Sequence, residues 1–162
     1  MAFFSGYPLV FAFVYVTLGN KATPNSFVVR VGSSVLPYSY ALVGTLFLGF
    51  QLKKIFSAYT IEHFSIPMQQ PWLMLWALLA MAFWIPRMAK NTVLSLLHSL
   101  VFFLYLVWET YLKRNQPADF GNMLQNDVQV YTSSVLLNFL TLCLMLLVAF
   151  FYQKMSKRQI TN

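Results

Sequence analysis

Two sets of residues in this sequence combine polar chemistry with helical spacing inside otherwise apolar runs. The first is His98, flanked by Ser95 and Ser99, with Glu109 about 16 Å further along the same helical run. Ionisable groups at membrane depth are costly and mark proton relays or headgroup sites. On that reading His98 relays a proton or binds a polar headgroup. The plainer reading is a neutral imidazole hydrogen-bonded inside a bundle, with Glu109 reaching back to the interface towards Lys113 at i+4. The second set is Ser134, Asn138 and Thr141, continued by Met145 and Val148 at three- and four-residue spacing. Thr92, Ser95, Ser99, Phe102, Leu106 and Glu109 form a matching stripe. Two facing helices with such stripes can exchange hydrogen bonds, each worth roughly 0.6–2 kcal/mol.

Cofactor chemistry finds little purchase. A haem held in a bundle calls for two axial ligands at matching depth, and the other histidine, His63, falls in a loop. The single Cys143 excludes an intrachain disulfide and thiolate clusters within one chain. No phosphate-binding glycine loop, nucleophile elbow or His-Glu-x-x-His motif is present, so neither a metal nor a cofactor is implied.

The elements that position these residues follow from composition. Of 162 residues, 59% are hydrophobic and only 9% charged, against about 25% charged in a soluble domain. A soluble fold with this composition would expose large apolar patches, whereas a lipid-facing surface accommodates it. The aromatic share of 18% agrees, because Trp and Tyr concentrate at the membrane interface. Crossing the hydrocarbon core takes roughly 20 residues, and four runs qualify: 36–52, 71–86, 92–112 and 130–152. The second is short, about 24 Å if wholly helical, and is expected to extend past Pro86 or to sit in a thinned, protein-lined position. In the first run Ala41, Thr45 and Gly49 make a doubled small-xxx-small face suited to close helix contact.

The expected class is therefore an all-α membrane protein, a bundle of four transmembrane helices. Residues 1–35 add an apolar N-terminal segment that reads either as a fifth helix over 3–18 or as a β-hairpin. The hairpin reading rests on the β-branched and aromatic runs 11–17 and 27–31, which flank a turn-rich stretch. Residues 36–152 form the bundle, 115–129 its clearest extramembrane loop, and 153–162 a short basic tail.

The net charge of +7 is not spread as a nucleic-acid stripe; the cations sit in small groups beside the apolar runs. Lys21, Arg30, Arg87, Lys90, Lys154, Lys157 and Arg158 fall on one side. Lys53, Lys54, Lys113 and Arg114 fall on the other, with all four carboxylates. The positive-inside rule then makes the C-terminus cytoplasmic. The expected location is a bacterial inner membrane, with an organellar membrane left open.

The residues Gly44-Thr-Leu-Phe-Leu-Gly-Phe-Gln-Leu-Lys-Lys-Ile55, Asp119-Phe-Gly121 and Val135-Leu-Leu-Asn138 together resemble the DoxX/MauE-like group of small four-helix membrane proteins. The resemblance covers residues 36–152 and implies a four-helix bundle. MauE-like proteins carry paired cysteines in the last loop, where this chain has Ala118-Asp119-Phe120, so their thiol chemistry does not carry over.

Little extramembrane mass, small-residue helix faces and no reaction-specific constellation point to a non-catalytic membrane subunit of a secretion, transport or energy-transducing assembly. Its partners would be other integral membrane proteins and lipids, or further copies of itself, and not nucleic acid. The alternative is a small transporter or lipid-binding carrier using the stripes around His98 and Asn138 as a polar pathway. An enzyme is the least supported class.

Overall fold

A computed structural model describes residues 2–19, 27–57, 71–114 and 120–160. All the regular structure among them is helical. The chain runs through α1 (Ala2–Ser5), α2 (Tyr7–Gly19), α3 (Phe27–Ser57), α4 (Pro71–Met81), a 3-10 turn (Ala82–Trp84), α5 (Pro86–Ala89), α6 (Thr92–Arg114) and α7 (Phe120–Ile160). Two stretches, Ser34–Lys53 in α3 and Val128–Met155 in α7, are long and apolar enough to cross a membrane by length and composition.

The hairpin reading is overturned. Residues 11–17 lie inside α2 and 27–31 inside α3. β-Branched and aromatic side chains lower helix propensity only slightly. A lone hairpin also leaves two edges of unpaired backbone groups, which an apolar environment penalises far more heavily. The N-terminal helix is nevertheless interrupted at Gly6, where α1 ends and α2 begins, its first turn closed by Val10 N–H donating to Gly6 C=O at 3.2 Å.

Other boundaries move as well. The first apolar run, 36–52, belongs to a longer helix that spans Phe27–Ser57 and passes through Pro37, so Arg30 lies within the helix and not upstream of it. The second run does not continue as one helix past Pro86. It tightens into the 3-10 turn and breaks at Ile85, which is extended (φ −74°, ψ 123°). The residue before a proline is pushed out of the helical region, and Pro86 then opens α5 at its first position. The loop read at 115–129 is helical from Phe120 onward; residues 115–119 lie outside the described residues. The basic tail continues α7 as far as Ile160.

Ring contacts set the directions of the helices. Trp72 stacks on Phe102 and Trp76 on His98, so α4 runs antiparallel to α6. Gly44 meets Ala77 and Ala80, and Tyr38 meets Trp84, so α4 also runs antiparallel to α3. Helices α3 and α6 are therefore parallel. The N-terminal pair enters among α3, α6 and α7, burying Phe4 completely. Phe4 stacks on Phe102 at 5.4 Å and packs against Tyr40 and Phe47.

The small-residue face expected to pack at Ala41, Thr45 and Gly49 is a contact face only in part. Ala41 is fully buried and Thr45 half-buried, but Gly49 is exposed, and an added Cβ there would meet nothing within 4 Å. The close approach is at Gly44 instead, where a Cβ would lie 2.8 Å from Ala80 Cβ and 3.2 Å from the Ala77 carbonyl oxygen. Gly44→Ala should therefore cost about 1–2 kcal/mol as an overpacking change. Gly49→Ala should stay within about 0.5 kcal/mol of the parent. Unfolding titrations in detergent compare the two, and equal costs would place the contact elsewhere.

Candidate functional site

The α6 stripe is buried as its spacing implies. Ser95 and Ser99 are fully enclosed, their hydroxyls donating to the carbonyls of Thr92 (2.8 Å) and Leu96 (2.9 Å). With its proton so committed, Ser95 Oγ accepts from Tyr7 Oη at 2.9 Å. One helical turn on, His98 Nδ1 is paired with Tyr40 Oη at 2.7 Å. The imidazole stacks on Trp76 at 4.3 Å and 20°, with Tyr40 and Phe83 presenting edges to it. Tyr40 has no exposed surface. The side chain of Glu109 is outside the described set, so the stretch of the stripe beyond Phe102 carries no assigned contacts.

On α7, Ser134, Asn138 and Thr141 are also buried. Asn138 Nδ2 donates to the carbonyls of Phe3 (2.9 Å) and Ser134 (2.8 Å). Both partners are acceptors, which fixes the orientation of the amide. Thr141 Oγ1 donates to the Asn138 carbonyl at 2.8 Å. Ser134 Oγ accepts from Ser5 Oγ at 3.2 Å and from Gly6 N–H at 2.9 Å. On α3, Thr45 Oγ1 donates to the Ala41 carbonyl at 2.9 Å and accepts from Trp84 Nε1 at 3.1 Å.

The stripes were expected to meet one another. Among the described residues, the hydrogen bonds seen leaving them run to other elements: Ser134 and Asn138 bond to the Phe3–Gly6 backbone and to Ser5, Ser95 bonds to Tyr7, and His98 bonds to Tyr40. The N-terminal segment is the wedge that both stripes grip. Sequence reasoning missed Gly6, Tyr7, Tyr40 and Gly44 as partners. The available signal was a Ser-Gly-Tyr triplet interrupting an apolar run, a sequence with no reason to lie against lipid.

Among the described residues, Trp76 Nε1, His98 Nε2 and Asn138 Oδ1 are buried without a well-formed hydrogen bond, although the Trp76 indole reaches towards the Tyr40 hydroxyl. If Tyr40 donates to Nδ1, the imidazole proton sits on Nε2, and Trp76 and His98 then offer two N–H donors on stacked rings. The arrangement orients an imidazole and holds it in an aromatic frame. It lacks the nucleophile–base–orienter geometry of covalent catalysis. Among the described residues no three His, Cys, Asp or Glu side chains gather to hold a metal ion. No protein-family model, curated protein or solved structure matches the chain.

Proposed function

We propose that this protein is a multi-pass integral membrane protein serving as a non-catalytic subunit of a larger membrane assembly. Helices α3, α6, α7 and the broken α4–α5 cross the bilayer, with α1–α2 as a fifth, and the C-terminus lies in the cytoplasm. One observation carries the reading: the outward helix faces are apolar, while the serines, threonine and asparagine of the apolar runs are turned inward among an aromatic core. The most apolar stretch of α7 is only 22% buried by the rest of the chain, while its Ser134, Asn138 and Thr141 face inward. Leu140, Leu144, Leu147 and Phe151 are exposed along the same helix. An apolar surface this continuous must be covered by lipid or by neighbouring helices. The interior hydrogen bonds serve packing, which is the work of a structural component. Kinship with the DoxX/MauE-like proteins is part of the same proposal, since two of its motifs fall on α3 and α7; Asp119 lies outside the described residues.

The test is gentle extraction of the tagged chain from its native membrane, followed by native mass measurement and identification of co-purifying proteins. A defined set of membrane proteins at fixed stoichiometry is expected. A chain that runs alone as a stable monomer would overturn the subunit reading.

The buried His98 Nε2 and Asn138 Oδ1, which have no hydrogen-bond partner among the described residues, favour a second reading, a small carrier with a polar pathway past His98 and Asn138. Under that reading, binding of a lipid or small solute raises thermal stability in a ligand screen, and His98→Ala abolishes the rise.

A further inference from the structure

We propose that the turn joining α4 to α6, residues 84–91, binds the headgroup of an anionic phospholipid. The inference rests on the membrane-spanning reading above and adds a ligand class and a place to it. The depth of this turn follows from the pairing of α3 with α6. His98 meets Tyr40, and counting six residues back from each reaches Thr92 and Ser34. Ser34 stands one helical turn after Arg30, the last cation before the apolar run of α3, so the turn just before Thr92 lies level with the edge of the hydrocarbon core.

Its composition is divided as an interface requires. Trp84, Ile85 and Met88 are exposed apolar side chains (40%, 53% and 38%), suited to the acyl and glycerol region. Arg87, Lys90 and Asn91 are exposed and polar. Arg87 and Lys90 are three residues apart, about one helical turn, so their cations share a side. The turn contains no carboxylate, and neither cation has an ion-pair partner among the described residues. Two unpaired cations above a collar of indole and aliphatic surface complement a lipid phosphate, with the charge above and the acyl chains below. Free phosphate would gain nothing from Trp84, Ile85 and Met88, so the occupant is the lipid.

The experiment uses the full chain in detergent, titrated with phosphatidylglycerol or with phosphatidylcholine of the same acyl chains, and bound lipid is read by native mass spectrometry. Phosphatidylglycerol should bind more tightly. Arg87→Gln combined with Lys90→Gln should weaken it roughly thirtyfold, about fivefold per cation, with phosphatidylcholine unchanged. Both positions are exposed, so the variant should keep the parent's thermal midpoint, measured alongside. Lys53→Gln, at the other end of α3, should leave phosphatidylglycerol binding intact, and millimolar inorganic phosphate should not displace the lipid. An unchanged preference in the double variant, an equal loss in Lys53→Gln, or displacement by phosphate would each overturn the proposal. A chain that stays in solution without detergent and washes from membranes with alkaline carbonate would instead bring down the membrane reading beneath it.

Discussion

Replacing Gly6 with alanine is expected to destabilise the bundle by about 3 kcal/mol, at the upper end of overpacking costs. The added Cβ would sit 2.6 Å from the backbone carbon and oxygen of Ser134 and from the amide nitrogen of Val135. None of these atoms belongs to a flexible side chain that can swing away, so α7 and the N-terminal segment must separate. Separation also stretches the 2.9 Å bond from Gly6 N–H to Ser134 Oγ. Alanine offers a gain as well, since it is a better helix former by roughly 0.5–1 kcal/mol and would join α1 to α2. The clash is with main chain, so the loss wins. Tryptophan fluorescence during unfolding in mixed micelles would measure it. A midpoint within about 0.5 kcal/mol of the parent would show that Gly6 does not touch α7.

The second large effect is at Phe4. In a soluble core, Phe→Ala costs about 3–5 kcal/mol, made of lost transfer energy and a residual cavity. In the bilayer proposed for this chain the transfer part would shrink, because lipid tails are as apolar as the protein interior. What remains is the lost packing with Phe102, Tyr40 and Phe47. At about 24 cal/mol per Å³ and roughly 100 Å³ removed, that is about 2–3 kcal/mol. Phe150 is 57% exposed on α7, and Phe150→Ala should change stability by less than about 0.5 kcal/mol. The same unfolding assay compares the two. Equal effects would mean that the inside and outside of the bundle have been exchanged.

Much of this arrangement is legible in the residues themselves. Ser95, Ser99, Ser134, Asn138 and Thr141 announce a buried seam, because polar groups at helical spacing within apolar runs have nowhere else to go. His98 is found the same way. The partner of the seam is harder to read, because periodicity says which face is buried and not against what. Gly6 and Tyr7 sit in a run whose aromatic and β-branched residues suit strand and helix alike, and only the demand that every backbone group be satisfied decides for helix. Spacing favoured Gly49, since Ala41, Thr45 and Gly49 repeat every four residues. Contact chose Gly44, because it faces Ala77 and Ala80 on a helix whose register no local pattern reveals. Residues 120–129 contain Gly, Asn and Asp, which favour turns in isolation. They are carried as helix by the long apolar run that follows.

The central claim is that the chain crosses a membrane more than once, and single cysteines test it directly. In a Cys143→Ser background, Lys53→Cys and Lys90→Cys place one thiol at each end of the bundle, both at exposed positions. A membrane-impermeant thiol reagent is then applied to sealed vesicles of known orientation, before and after permeabilisation. Position 53 should label only from outside and position 90 only from the cytoplasmic side, with the broken α4–α5 helix passing between them. Labelling of both positions from the same side would contradict it.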